Sequence, residues 1–445
     1  MPGRVRSIRP FLFTSLFLAG GAGAEDLVQI YREAQRSDPV FTAARHTLEA
    51  GRERLPQGRA LLLPTLNLSG SATRSRTDTE FRDAAVPNTI RSPDQVGYTL
   101  SLNQPIFRMQ NVIQYRQADH QVRQAEATFG QAYQDLIVRT AQSYFDVLAA
   151  QDTLALVRAQ KEATAEQLAQ AKRNFEVGTA TITDTHEAQA RYDLNSAQEI
   201  AALNDLESKR RALQILTGRE IAELAPLRPD VRLSPPNPPD MAAWVDIAEK
   251  NAFPIQIAEA AAEVAALEAR RSTAAHLPTL DFVATHGQTG ASATSDSSVG
   301  RDTTNTVIGL QLAMPLFQGG ALTSRDRETA ALSLRAKEDL ENARRNAVLS
   351  TRQNYLLVSN GISLIAALEQ ALVSSQSALD SNRLGYEVGV RINIDVLNAQ
   401  QQVFQTRRDL LVARYNTITN SLRLKAAAGA LRDEDLEEVN RALAP

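Results

Sequence analysis

The chain has no cysteine in 445 residues, a single tryptophan, and aromatic residues at only 5%. The missing cysteine excludes a disulfide scaffold, a thiolate metal site, a cysteine nucleophile and an acylated N-terminal cysteine. An excess of one charge is missing too. With 48 basic and 51 acidic residues the net charge is −3, which gives no electrostatic footprint for nucleic acid. Beyond the N-terminus no apolar run approaches the roughly 20 residues of a spanning helix. If this chain crosses a membrane, it does so with strands. Hydrophobic residues at 43% suffice for packed structure, and the length allows two or three domains.

Residues 1–24 carry Arg4, Arg6 and Arg9, then the apolar run Phe11–Leu18, then Ala22-Gly23-Ala24. A basic start, a short apolar stretch and a small-x-small end predict a secretory signal cleaved after Ala24. Losing three arginines and no acid takes the net charge from −3 to −6. The mature chain is then an exported, mildly acidic protein, and an oxidising compartment suits a chain without thiols.

The remainder is one unit written twice. Leu63-Pro-Thr-Leu-Asn-Leu68 recurs as Leu277-Pro-Thr-Leu-Asp-Phe282, and Leu100-Ser-Leu-Asn-Gln-Pro-Ile-Phe107 as Leu310-Gln-Leu-Ala-Met-Pro-Leu-Phe317. Phe175-Glu-Val-Gly178 recurs as Tyr386-Glu-Val-Gly389, Asp184 as Asp395, and Ala188-Gln189 as Ala399-Gln400. All matches keep one order at separations of 210 to 214 positions. The expected organisation is a signal at 1–24, a first repeat at 25–225, a linker at 226–240 with six prolines, a second repeat at 241–429 and a C-terminal segment at 430–445.

Each repeat predicts a short helix, a second helix opened by Pro39 or Pro254 and ending near Ala60 or Ala275, two strands, and two long helices. The strands fall at about 64–76, 95–105, 278–287 and 304–315, and the long helices at about 106–177, 182–217, 316–388 and 392–428. Residues 106–177 contain no proline and one glycine, Gly130. Such a helix is about 100 Å long at ~1.5 Å per residue and needs helical partners along its length. Ile365, Leu372, Leu379 and Tyr386, and again Leu397, Phe404, Leu411 and Ile418, recur every seven residues, a coiled-coil seam.

The strands alternate apolar and small polar residues: Leu66 and Leu68 against Asn67 and Ser69, Leu100 and Leu102 against Ser101 and Asn103, Ile308, Leu310 and Leu312 against Gln311. Such segments fit either two hairpins of a soluble sheet or strands that span a bilayer. An uncharged second face, and long Ser/Thr/Asp/Arg-rich loops at 74–95 and 287–303, favour the bilayer. Four strands cannot close a barrel, and an open edge is forbidden in lipid. The barrel must be shared among chains: eight strands from two, or twelve with a lumen from three. A ring of long helices beneath the barrel favours three.

In these features the chain resembles the TolC-type outer-membrane efflux family. The signal, duplication and four strands match, as do Val177-Gly178 through Asp184, Tyr386-Glu-Val-Gly389-Val-Arg391 through Asp395, and the tail Gly429-Ala-Leu-Arg-Asp-Glu-Asp435-Leu. The resemblance implies a mainly α protein with a membrane β-barrel contribution: a homotrimer closing a twelve-stranded barrel in the outer-membrane lipid of a Gram-negative cell, above an α-helical tunnel in the periplasm. An equatorial belt formed partly by the linker and the C-terminal segment would surround the tunnel. The implied function is a passive exit channel, docked by a periplasmic adaptor (membrane fusion) protein and energised by an inner-membrane ABC, RND or similar transporter. Without a cysteine to acylate, the match favours the type I secretion branch, with multidrug export also open.

The resemblance also implies a gate at the periplasmic aperture, made of Thr183, Asp184, Tyr386, Arg391, Asp395 and Asn398. An Asp184–Tyr386 hydrogen bond and an Arg391–Thr183 contact would hold it shut. Asp395 matches one of two acidic rings expected at the constriction; Asn398 stands where the second is expected, so that ring is neutral here. Read from the residues alone, Asp184 and Asp395 are also first-turn helix caps, and the two roles are compatible. Asp395 and Asn398, three apart, share a helix face, and acidic rings favour cations in a pore. Gly178 and Gly389 end helices and shape the tips where an adaptor would dock.

Catalysis finds no support: His46, His120, His186, His276 and His286 share no metal-ligand spacing, and no phosphate loop or nucleophile elbow occurs. No catalytic, cofactor or metal site is expected. The rival readings are a periplasmic coiled-coil adaptor or structural protein, which would carry one helical hairpin and more strands, and a flagellin-like filament protein, whose export uses no such cleaved signal. From the gate assignment, replacing Tyr386 with Phe together with Arg391→Ser is expected to raise single-channel conductance in planar bilayers; unchanged conductance counts against the assignment.

Overall fold

The computed structural model describes residues 24–444, apart from residues 84, 93, 222, 230, 232 and 294–298. The expected export signal lies, but for Ala24, outside the described residues.

Helix α1 (Leu27–Ser37) opens on a capping box in which the Asp26 carboxylate accepts from the Gln29 N–H at 2.7 Å and the Gln29 side chain accepts from the Asp26 N–H. Asp38 caps α2 (Pro39–Arg52), and α3 (Arg54–Ala60) follows. The single second helix expected as far as Ala60 is thus two. Pro56 has no N–H for the Arg52 carbonyl, and the chain breaks between them at Glu53. Strand β1 (Thr65–Arg74), the short hairpin β2 (Thr77–Thr79) and β3 (Thr89–Arg91), and strand β4 (Asp94–Phe107) come next. Long helices α4 (Met109–Glu176) and α5 (Ile182–Thr217) close the first half.

The second half repeats the order: α6 (Met241–Asn251), α7 (Phe253–Thr273), β5 (Thr279–Ala291), β6 (Arg301–Ala313), α8 (Ala321–Glu387) and α9 (Asn393–Ala427), with α10 (Asp433–Asn440) at the end. Several boundaries differ from the sequence reading: β5 runs on to Ala291 rather than 287 and β6 starts at Arg301 rather than 304, which shortens the loop expected at 287–303. Strand β4 runs through Pro105 to Phe107, so α4 starts at Met109 rather than at 106. Helix α8 starts at Ala321 rather than 316, because Gly319 and Gly320 have φ of +59° and +85°, outside the helical region. The loop expected at 74–95 also contains the β2–β3 hairpin.

The four long strands form one antiparallel sheet in the order β1-β4-β5-β6. Its register sorts the side chains. Leu66 faces Leu102, which faces Ala284, which faces Ile308, all on one surface; Leu68 and Leu100, and Phe282 and Leu310, extend it. The opposite surface carries Asn67, Ser101, Thr285 and Val307 in one row and Ser69, Thr99, Gly287 and Asn305 in the next, small and uncharged, with Asp281 paired to Arg108 at its lower end. The apolar surface is bare: Leu68 is 74% exposed and Leu312 71%.

Below the sheet, α4 pairs with α5 and α8 with α9 as antiparallel hairpins, while α2 and α3 cover the upper part of α4, and α7 packs between α4 and α8. Contact is close where residues are small. A Cβ on Gly51 would lie 2.5 Å from the Ala125 Cβ, and one on Gly58 2.9 Å from that of Ala118. The main core sits midway along the helices. It joins Leu27 and Ile30 of α1, Leu136 through Leu154 of α4, Leu213 and Leu216 of α5, Ile418 and Leu422 of α9, and Leu436 of α10. The end of the first repeat and the linker thread into it: the Tyr144 hydroxyl donates to the Ala225 carbonyl at 2.8 Å, and Leu227 bridges to Leu443, while the Trp244 indole, in a separate small cluster, donates to the Pro238 carbonyl.

Helix α8 corrects one further expectation. It contains an 18-residue window of mean hydropathy 1.6, long and apolar enough to cross a membrane, of which only 6% is buried in the single chain. A helix of 67 residues is about three bilayer cores long, so it cannot lie wholly in lipid. Its bare face suits another helix.

Asp38 is almost fully buried, receives the Phe41 N–H at 3.1 Å and pairs with Arg139 at 2.7 Å. Asp38→Ala strands that cation and uncaps α2. The expected loss is about 2–3 kcal/mol, read by thermal unfolding in detergent, with Asp38→Asn losing less because it keeps the cap.

Candidate gate at the helix tips

At the first tip the α4 helix stops at Gly178, whose φ of +78° lets the chain reverse, and the Thr179 and Ala180 N–H groups return to the Asn174 carbonyl. At the second, Gly389 has φ of +76°, and the Val390 and Arg391 N–H groups return to the Gly385 carbonyl. An added Cβ would meet nothing within 4 Å at either glycine, so backbone conformation, rather than crowding, calls for glycine there.

The two tips then diverge. Thr181 caps α5 in a full capping box: its hydroxyl accepts from the Asp184 N–H, and the Asp184 carboxylate accepts from the Thr181 N–H at 2.9 Å and from its hydroxyl at 2.8 Å. Asp184 is therefore turned onto its own helix start. The matching residue before α9 is Ile392, which has no side-chain cap to offer. Asp395, equivalent to Asp184, is left free of that box and lies 3.7 Å from Arg391. One substitution between repeats thus separates a capping aspartate from an available one.

The hydrogen bonds expected within the gate are not formed within the described residues of this chain. Tyr386 accepts at 3.3 Å from the Asn174 amide instead of meeting Asp184, whose Oδ2 accepts both bonds from Thr181. Arg391 lies by Asp395, one helical turn along, rather than by the exposed Thr183. Asn398 is engaged: its side-chain oxygen accepts from Arg191 at 2.7 Å, and Gln401 accepts from the same guanidinium. Asn174, Arg191 and Gln401 escaped the sequence reading. A signal for Arg191 existed: it lies seven residues after Asp184, two turns along the same face.

Around these polar links the hairpins interlock through Leu168 and Ala171 of α4, Ala188 of α5 and Leu397 of α9, with Tyr192 and Ile394 beside them. Further up, Lys161 and Arg158 both hold Glu199, at 2.9 and 3.0 Å, and keep its carboxyl below the usual range. Asn195 donates to the Thr164 hydroxyl in the buried seam. Among the described residues no His, Asp and Glu cluster could hold a metal ion.

An open sheet with one apolar and one polar surface, standing on paired helical hairpins joined near their tips by polar contacts, defines a subunit of a membrane channel with a helical conduit. The comparisons give that class a family. The outer membrane efflux protein family matches residues 30–219 and 244–430, one match per repeat. The chain is 32% identical to the outer membrane protein TolC of Vibrio cholerae, covering 96% of this chain and 95% of that protein. It is 34% identical to the alkaline protease secretion protein AprF of Pseudomonas aeruginosa, covering 98% and 91%. In fold it is similar to the outer membrane protein VceC of Vibrio cholerae (TM-score 0.76, 20% identity, 91% and 96% covered) and to the CmeC channel of Campylobacter jejuni (0.78, 18%, 94% and 90%). The chain belongs to the outer membrane efflux protein family, and it is an outer-membrane exit channel protein.

The Arg391–Asp395 pair generates an expectation with opposite signs for its two members. Asp395→Asn should weaken block of the channel by divalent or trivalent cations. Arg391→Ser, which frees the carboxylate, should strengthen it. Titration of bilayer currents with the cation reads both, and equal block in both variants would remove Asp395 from the pore lining.

Proposed function

We propose that three copies of this chain form the exit duct of a tripartite export machine. Each copy contributes four strands to a twelve-stranded barrel and two hairpins to a helical tunnel. A periplasmic adaptor docks at the tips shaped by Gly178 and Gly389, and an inner-membrane transporter of the ABC, RND or a similar class supplies the energy. The observation that carries the reading is the sheet itself: β1 and β6 are its two outer strands, almost wholly exposed, and its leucine surface has no cover. In lipid every such edge must be paired, and pairing β6 of one copy with β1 of the next satisfies both at once.

At the other end, Thr183, Asp184, Tyr386, Arg391, Asp395 and Asn398 act as the gate. Thr183 and the Arg391 guanidinium both lie on the exposed tip surface, where they meet across neighbouring copies when Arg391 turns from Asp395. The cargo is a protein, as favoured by likeness over most of their length to AprF and to the proteases secretion protein PrtF of Dickeya chrysanthemi. The chain conducts passively.

Cell fractionation tests the proposal. The protein is expected in the outer membrane as an oligomer that dissociates to monomer only on heating in detergent. Recovery as a soluble periplasmic monomer would exclude it. Pull-down of the cross-linked assembly is expected to bring an adaptor and an inner-membrane transporter with it.

A further inference from the structure

Higher up, Arg423 of α9 donates to the Gln142 amide of α4 and the Tyr415 hydroxyl to the Asp152 carboxylate; near the tips, one polar link between the hairpins differs in kind from the others. Asn174 to Tyr386, at 3.3 Å, and Asn393 to the Asp184 carbonyl, at 3.5 Å, are long and neutral. Arg191 on α5 instead directs both arms of its guanidinium at α9: Nη2 donates to the Asn398 side-chain oxygen at 2.7 Å and Nη1 to that of Gln401. The two acceptors are three residues apart, so they sit one above the other on one helix face. A planar fork matches such a pair, whereas a point-like ammonium serves one oxygen at a time. Both acceptors are uncharged amides, so neither cancels the positive charge that Arg191 brings to the level of Asn398. One turn nearer the tip, Asp395 has Arg391 beside it.

We propose that Arg191 is the positioning residue of the gate. Its guanidinium latches α5 onto α9, holds the two hairpins of each subunit together at the tip, and sets a cation one turn above Asp395. The role in gating rests on the exit-duct reading; the latch itself is a contact within one chain. Opening by movement of one hairpin against the other has to break both bonds of the fork, and the amide partners leave nothing ionic to hold them once broken. The contact is part-exposed, so it is a latch that yields rather than a permanent tie.

The test uses the full-length trimer. The chain contains no cysteine, so spin labels can be placed at the exposed tip positions by His186→Cys and Gln402→Cys without other changes. A narrow α5–α9 distance distribution is expected for otherwise wild-type protein, and a broadened, longer one for Arg191→Ala. In planar bilayers Arg191→Ala should raise the open-to-closed ratio about five-fold, the effect of losing a charged hydrogen-bond pair discounted for exposure. Arg191→Lys should fall between, since one donor point replaces the fork. Asn398→Asp, which gives the latch a charged partner, should lower the ratio. An unchanged distance distribution in Arg191→Ala overturns the latch, whatever the conductance. Broadening in Arg191→Ala by a protein that forms no channel would uphold the contact and make the exit-duct reading the one that fails.

Discussion

A backbone amide or carbonyl facing hydrocarbon has no water to turn to, and this single constraint organises the molecule. The four long strands satisfy one another inward but leave β1 and β6 with open edges, while the leucines of the same sheet are directed outward and uncovered. A water-soluble protein would bury those leucines; a lipid-embedded one has to find partners for the edges. The chain is therefore incomplete by itself, and the long helices inherit that incompleteness, with the apolar face of α8 bare in the single subunit.

Duplication supplied two hairpins that are alike in outline and different at their ends. Gly178 and Gly389 reverse the chain with nearly equal φ, and Asp184 and Asp395 occupy equivalent third positions of their helices. What separates them is the residue three places earlier. Threonine at 181 can hold the carboxylate, and isoleucine at 392 cannot. The second repeat lacks that helix cap, worth about 1 kcal/mol, and its acidic group pairs with Arg391 instead.

Much of the architecture was legible because it is written in periodicities. Alternation of two marked Leu66–Ser69 and Ile308–Leu312, and the near absence of proline and glycine marked the long helices. The recurrence of whole phrases marked the two repeats. Helix boundaries were less legible where one residue type does two jobs: Pro105 lies inside a strand, at a place where the ladder is irregular, and Pro56 splits a helix it had been expected to join. The tip residues proposed for the gate were picked out by motif, but their partners within the chain were not. Whether Asp184 faces Tyr386 or its own Thr181 depends on side-chain geometry across a turn, and the pairing of Arg191 with Asn398 and Gln401 joins residues more than 200 positions apart, which no local pattern encodes.

The distribution of packing along the helices has a mechanical consequence. The largest apolar cluster clasps α4, α5 and α9 at mid-height and is tied to the end of the first repeat through Tyr144, where burial raises the hydroxyl's pKa. Toward the tips the cores shrink to a few residues, and polar contacts take over. A shaft clamped at its waist bends most easily at its unsupported end. Such a collet can flex at its lower fingers while its collar and crown stay still, so movement at the helix tips is decoupled from the sheet.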